Sequence, residues 1–208
     1  DFTVRDGAGN LVLGPLRTLV ATGVSAAADG IEHEPMPSGG KRRTMTLLSL
    51  ASRQIWPQVL GFLHLDPRPE TLILLHTSEE LESGGPARRL RSLFSEAGLL
   101  PAASVHLAPI PHDDFQGIQE CLANLAAHSG LHSANCQLHF TGGNKLMALA
   151  ASEWCRRERV RSFYVERGRR LLQLAPRDDG IGFHDAGNLD PHLARSIEPL
   201  ALLRCQLG

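Results

Sequence analysis

Beyond residue 44 the chain alternates between short apolar runs of strand length and longer stretches whose apolar residues recur every three or four positions. Residues 45–50 form a continuous apolar run, and 71–76, 104–108, 136–140 and 162–165 repeat the pattern. Runs this short and this apolar predict strands covered on both faces. Pro57, best tolerated in a first turn, starts a helix carrying Val59, Leu60, Phe62 and Leu63 and leaves 52–56 as a loop. Gly85 and Pro86 open the helix of Leu90, Leu93 and Phe94, which Gly98 closes. Asp113 and Asp114 precede a helix with Phe115, Ile118, Leu122 and Leu125 on one face, ended by Gly130; the last of these helices covers 146–157. Strands alternating with helices predict an α/β fold, a Rossmann-like and mostly parallel sheet with helices on both faces. Residues 170–174, returning from the fifth strand through an Arg167-Gly168 turn, add a C-terminal β-hairpin.

The flanks read differently. Residues 1–44 are rich in Gly, Ala and Pro, with hairpin-like segments at 2–4 and 11–13 and linker composition at 36–43, and form an N-terminal extension of unknown role. Residues 45–175 form the α/β domain, and 176–208 a C-terminal arm. In that arm 178–180 is a turn, 188–191 a helix start, and Ile197, Leu200, Leu202 and Leu203 can dock on a neighbouring surface.

Charge narrows the partners. Lys+Arg 21 against Asp+Glu 22 gives a net charge of -1 over 208 residues, so no global positive field exists to hold a long nucleic acid. Lys41 and Lys145 are the only lysines. The four cysteines, Cys121, Cys136, Cys155 and Cys205, make no CxxC pair, which predicts reduced, buried thiols and a cytoplasmic protein. No run reaches the ~20 apolar residues of a membrane helix. The chain opens at Asp1 without a signal-like segment and reads as a fragment or a processed form.

The most informative segment is Phe140-Thr141-Gly142-Gly143-Asn144-Lys145, at a strand-to-helix junction. Paired glycines let a backbone approach a ligand closely, and a helix amino terminus offers free N–H groups and partial positive charge to a phosphate. Lys145 adds a cation there. In a doubly wound sheet ligands bind at the carboxyl ends of the strands, where this loop must lie. Ser52 and Gln54 after the first strand, and Thr77 and Ser78 after the second, open on the same edge with groups suited to a phosphodiester or a base edge. Taken singly these are helix caps, Thr77 with Glu80 forming a capping box. The glycine segment is neither a Walker A loop nor GxGxxG, so ATP hydrolysis and NAD binding gain no support, and no cofactor is expected. Nor is a metal: Cys136 and His139 lie on one strand at odd separation and point to opposite faces. His112-Asp113-Asp114 sits at the crevice edge and suits helix capping better than acid–base chemistry. Arg156, Arg157, Arg159, Arg161, Arg167, Arg169 and Arg170 read either as a solvated helix end or as an anion-facing patch.

The order of strand, Ser-Arg-Gln-x-x-Pro loop and helix, then Leu-His-Phe-Thr-Gly-Gly-Asn-Lys-Leu-Met-Ala-Leu-Ala and a Phe-Tyr-Val strand, resembles the CRISPR-associated Rossmann fold (CARF) domain. The likeness spans residues 45–174 and is greatest to the sensors of cyclic-oligoadenylate-activated nucleases; 196–203 resembles the segment that follows the sensor there. The resemblance implies a homodimer holding one cyclic oligoadenylate, most often cyclic tetra-adenylate, across its axis. Ser52, Gln54 and Thr77 would contact the ring, and Thr141, Gly142, Gly143, Asn144 and Lys145 would cradle its phosphates. The family's effector domain follows the sensor, and no nuclease pattern occurs in these residues. Alternatives are a ring nuclease that cleaves the messenger and an unrelated nucleotide-binding Rossmann protein.

Overall fold

The computed structural model describes residues 4–5, 11–12, 44–78, 83–166, 170–177, 180–195 and 197–207. The chain divides into two units, Asp1–Gly40 and Lys41–Gly208. In the first, β1 (Val4–Arg5) pairs antiparallel with β2 (Leu11–Val12), in line with the expected hairpin; the turn between them and the linker lie outside the described residues.

The second unit is built on a seven-stranded sheet. In chain order it contains β3 (Thr46–Leu50), α1 (Trp56–His64), β4 (Thr71–His76), α2 (Gly84–Glu96), β5 (Val105–Pro109), α3 (Phe115–Ser129), β6 (Cys136–His139), α4 (Lys145–Arg157), β7 (Arg161–Glu166), β8 (Arg170–Arg177), β9 (Gly180–Asn188) and α5 (Pro199–Leu207). The strand order is β5-β4-β3-β6-β7-β8-β9, parallel from β5 to β7 and antiparallel through β8 and β9. The Rossmann-like reading and its C-terminal hairpin are therefore correct. The Arg167-Gly168 turn itself lies outside the described residues.

Alternation along each strand divides the core into two layers. Leu47, Leu72 and Leu74 pack with α1, α2 and α5 through Phe62, Leu90, Phe94 and Ala201. Leu48, Ile73 and Leu75 face the other way, onto α3 and α4 through Ile118, Leu122, Met147 and Trp154. A strand buried on both sides favours apolar residues at successive positions, which is why these runs do not alternate; the buried polar residues Ser49 and His139 lie within hydrogen-bonding distance of each other. Local chemistry sets the helix ends. The Asp114 side chain accepts the Gly117 N–H at 2.9 Å to cap α3, and Gly130 closes that helix. Pro57 falls in the first turn of α1 as expected.

β9 is absent from the sequence reading. It covers residues that run from the expected 178–180 turn to the expected helix start at 188. Its exposed face and its glycines at 180, 182 and 187 erase any alternation, so the pairing with β8 rests on backbone hydrogen bonds. The start at Asn188–Pro191 survives as a short 3-10 turn, Pro191–Ala194, capped by Asp190. The tail docks through a different set of residues from the one expected: Ile197 is buried and Leu202 packs against the core, but Leu200 and Leu203 are exposed, and Ala201 and Cys205 are buried in their place. All four cysteines are free thiols, and burial raises the Cys136 thiol to about 12.

Candidate functional site

The chain passes from β3 outward to β4 and β5, then returns to the other side of β3 for β6 and β7. This reversal leaves a crevice at the carboxyl ends of β3 and β6, the place where ligands bind in open α/β sheets. The loops that follow these two strands, 51–55 and 140–144, meet there. The Gly143 N–H donates to the Ala51 carbonyl at 3.2 Å. Gly142 lies so close beneath the first loop that a Cβ would fall inside contact distance of the Leu50 carbonyl oxygen and 2.8 Å from Gln58 Nε2. Gly143 has φ +74°, a conformation open to glycine at little cost. The two glycines thus have separate reasons, close approach at one and backbone twist at the other.

Asn144 caps α4, its side chain accepting the Met147 N–H at 2.8 Å, and its Nδ2 donates to the His112 carbonyl at 2.7 Å. One side chain therefore fixes the helix start and ties the loop after β5 to the same edge. His112 Nδ1 lies 3.2 Å from Asp113. Lys145 is the first residue of α4 and is exposed, with no hydrogen bond or ion pair among the described residues. In a helix the first N–H groups have no intrahelical acceptor, so the amides of Lys145 and Leu146 and the Lys145 ammonium form a compact cluster of donors.

Ser52 is half-buried and Gln54 exposed. The Ser52 hydroxyl donates to the Gln54 carbonyl at 3.2 Å and accepts from Gln58 Nε2 at 3.1 Å; the same nitrogen donates to the Leu50 carbonyl at 3.3 Å. Gln58 is 2% exposed and its Oε1 has no hydrogen-bond partner among the described residues. Because a carbonyl can only accept, the amide nitrogen must face Leu50, and this orientation leaves the oxygen over. The sequence reading gave Gln58 no role. A single amide in the apolar stretch 57–63 was the available signal.

Two of the expected contact residues turn inward. Thr77 is 3% exposed; its hydroxyl lies 2.8 Å from that of Ser83, and the Ser83 hydroxyl accepts the Thr77 N–H at 2.7 Å. The expected partner Glu80 lies outside the described residues. The Thr141 hydroxyl accepts the Val165 N–H at 2.6 Å and lies 2.7 Å from His139 Nε2. His139 is fully buried, stacked on Phe163 with ring centroids 4.5 Å apart, and its Nδ1 lies 3.4 Å from the Ser49 hydroxyl. Desolvation pushes its pKa down to about 3, so it stays neutral and acts as a hydrogen-bonding strut under the glycine loop. His139 faces α1 through Gly61 while Cys136 packs in the opposite layer, as the odd spacing predicts. Ser52, Gln54, Gly142, Gly143, Asn144 and Lys145 thus lie on the two loops that meet at this edge, Thr141 is built into the support of the second, and Thr77 is bonded within the β4 loop to Ser83.

The arginine-rich stretch is largely matched by carboxylates. Arg156 pairs with Glu153 at 2.7 Å, Arg157 with Glu158 at 3.2 Å, and Arg170 with Asp185. These pairs favour the solvated reading; Arg167 and Arg169 lie outside the described residues.

Fold and crevice together define a Rossmann-type α/β domain whose loops open at the strand-order reversal. Among solved structures the chain is similar to Can2 from Sulfobacillus thermosulfidooxidans in complex with cyclic tetra-adenylate, with TM-score 0.57 and 20% identity over 78% of this chain and 41% of that one. It is also similar to protein VC1899 from Vibrio cholerae, with TM-score 0.54 and 15% identity over 66% of this chain and 35% of that one. No protein-family model and no curated protein matches the sequence. The likeness to these two structures is one of fold, a Rossmann-type α/β domain. The chain spans well under half the length of either neighbour, and no helix among its described residues is long and apolar enough to cross a membrane.

Proposed function

We propose that the chain is a sensor that binds a cyclic oligoadenylate, cyclic tetra-adenylate in the first instance, at a crevice formed by two copies, and so regulates an effector in type III CRISPR defence. The observation that carries this reading is the contact of the loops after β3 and β6 at the strand-order reversal, beside an exposed Lys145 and the uncapped amides of α4. Cyclic tetra-adenylate carries about four phosphate charges, and two copies of a helix-terminus loop with one lysine each meet it without a basic surface elsewhere. Ser52 and Gln54 face the ring from the first loop, Gly142, Gly143, Asn144 and Lys145 from the second, and Thr77 and Thr141 shape the walls. The Can2 structure with cyclic tetra-adenylate supports this ligand class.

The test is to titrate the purified chain with cyclic tetra-adenylate by calorimetry and to analyse the nucleotide afterwards. Binding of one intact ring per two chains is expected. Linear products would replace the sensor by a ring nuclease, and absence of binding would overturn both. Lys145→Ala should weaken binding at least tenfold, since a charge-assisted contact is worth about 1.5–3 kcal/mol, while the thermal melt stays unchanged. Unaltered affinity removes the site assignment.

A further inference from the structure

The loop after β3 is gripped from a second direction. Gln206, near the end of α5, donates through Nε2 to the Arg53 carbonyl at 3.1 Å and accepts the Ile55 N–H on Oε1 at 3.5 Å. These two backbone groups flank Gln54, so one side-chain amide closes on the peptide units either side of a proposed contact residue, as a neighbouring strand would. Only one amide orientation serves both, because the carbonyl can only accept and the N–H only donate. Some 150 residues of chain separate the partners. α5 is in turn fixed to α2: Arg89 Nε donates to the Cys205 carbonyl at 2.8 Å, Arg204 lies 3.8 Å from Glu96, and Ala201 and Cys205 are buried.

We propose that Gln206 is a positioning residue for the crevice, and that through it the ordering of loop 52–55 and the docking of α5 are one equilibrium. Arg53 and Gln54 are exposed, and Gln58 restrains the loop only at its start. The Gln206 clamp holds the peptide units on either side of Gln54, next to the buried Ile55 side chain. Anything that binds the ordered loop then tightens α5, and anything that pulls on α5 loosens the loop, by an equal free energy in both directions. The ligand half of this statement rests on the proposed function; the loop half does not.

Hydrogen exchange of the full chain tests both halves. In the free protein, Gln206→Leu should speed exchange at the Ile55 amide at least fivefold; Gln206→Glu, which keeps the acceptor for that amide but cannot donate to the Arg53 carbonyl, should speed it by a smaller factor. Leu207→Gln, a change at an 81% exposed position of the same helix, should leave it unchanged. With cyclic tetra-adenylate, the wild type should gain protection across α5, and the two Gln206 variants should bind about tenfold more weakly, within the ~5- to 150-fold range of site-to-site couplings. Loop exchange that ignores Gln206, or full affinity in both variants, overturns the proposal. If the wild type binds no ring, the proposed function falls and the free-protein exchange alone decides the clamp.

Discussion

The loop after β4 and the pair of loops after β3 and β6 leave the same edge of the sheet, yet they spend their polar groups in opposite directions. After β4, Thr77 is buried and pairs hydroxyl to hydroxyl with Ser83 at the entrance to α2. After β3 and β6, the backbone groups satisfy each other through Gly143 and Ala51, and the remaining donors, the first amides of α4 and the ammonium of Lys145, face outward. Position at the strand reversal accounts for the difference. Two adjacent strands whose chains depart to opposite faces leave a gap between their loops, whereas β4 has its following helix folded back over its end. Residue type alone would rank the threonines of both regions as equals.

The contrast breaks hardest at Gly142. A Cβ there has no room against the Leu50 carbonyl and Gln58, both of which are held in place. Gly142→Ala should lower unfolding free energy by roughly 3 kcal/mol, the upper range of overpacking, and abolish ring binding because the two loops must part. Urea denaturation and calorimetry read the two effects. Gly143→Ala, where the cost is mainly backbone twist and the 3.2 Å approach is to the flexible end of Met147, should lose about 1–2 kcal/mol. Equal losses at the two glycines would mean that close packing of the loops is not what shapes the crevice.

The support below the glycine loop is sensitive to acid. The native pKa of His139 lies near 3 against an ordinary 6.5. As pH falls below 6.5 the unfolded chain binds a proton that the native chain refuses, so the stability this residue contributes is complete above 6.5 and drains away towards pH 3. Between pH 7.5 and pH 5 the loss is about 2 kcal/mol. His139→Gln, which cannot titrate but can still bond to Thr141, should shrink the pH dependence of the melting free energy by that amount. An unchanged pH dependence would show that His139 ionises freely in the folded protein.

Asn144 separates a cap from a contact. Asn144→Ala removes the bond from the Met147 N–H and the link to His112, and should cost about 1.5 kcal/mol of stability together with a severalfold loss of ring affinity. Asp114→Ala removes the equivalent cap of α3 and should cost a similar stability with affinity intact. If the two variants lose affinity alike, capping in general and not the β6 loop supports binding.

What could be read from the chain follows the same division. The strands β3 to β7 and their helices announce themselves through short apolar runs between amphipathic stretches, most fully at β3 and β4, which are buried on both faces, and the cap Asp114 lies where loop chemistry places it. The crevice was legible as a set of loops on one edge, with the glycines and Lys145 as its centre. Which hydroxyls point outward was not, since Thr77 and Thr141 owe their direction to Ser83, Val165 and His139, partners supplied by other elements. The partners of Gln58 and Gln206 were illegible for the same reason: an amide in a helix gives no sign of which backbone it will grip. β9 left no pattern because its exposed, glycine-bearing strand is held by the ladder to β8.

The mildest test lies in the β4 loop. Thr77→Val keeps the shape of the side chain but deletes the hydroxyl that bridges to Ser83. A buried pair of this kind is worth about 1 kcal/mol net, so a small drop in urea midpoint is expected at both neutral and mildly acidic pH. Ring affinity should change less than twofold, because the hydroxyl is directed into the α2 entrance and 3% exposure leaves it almost no surface to offer. A tenfold loss of affinity with little change in stability would place Thr77 against the ligand, and would mean that the loop after β4 rearranges when the crevice fills.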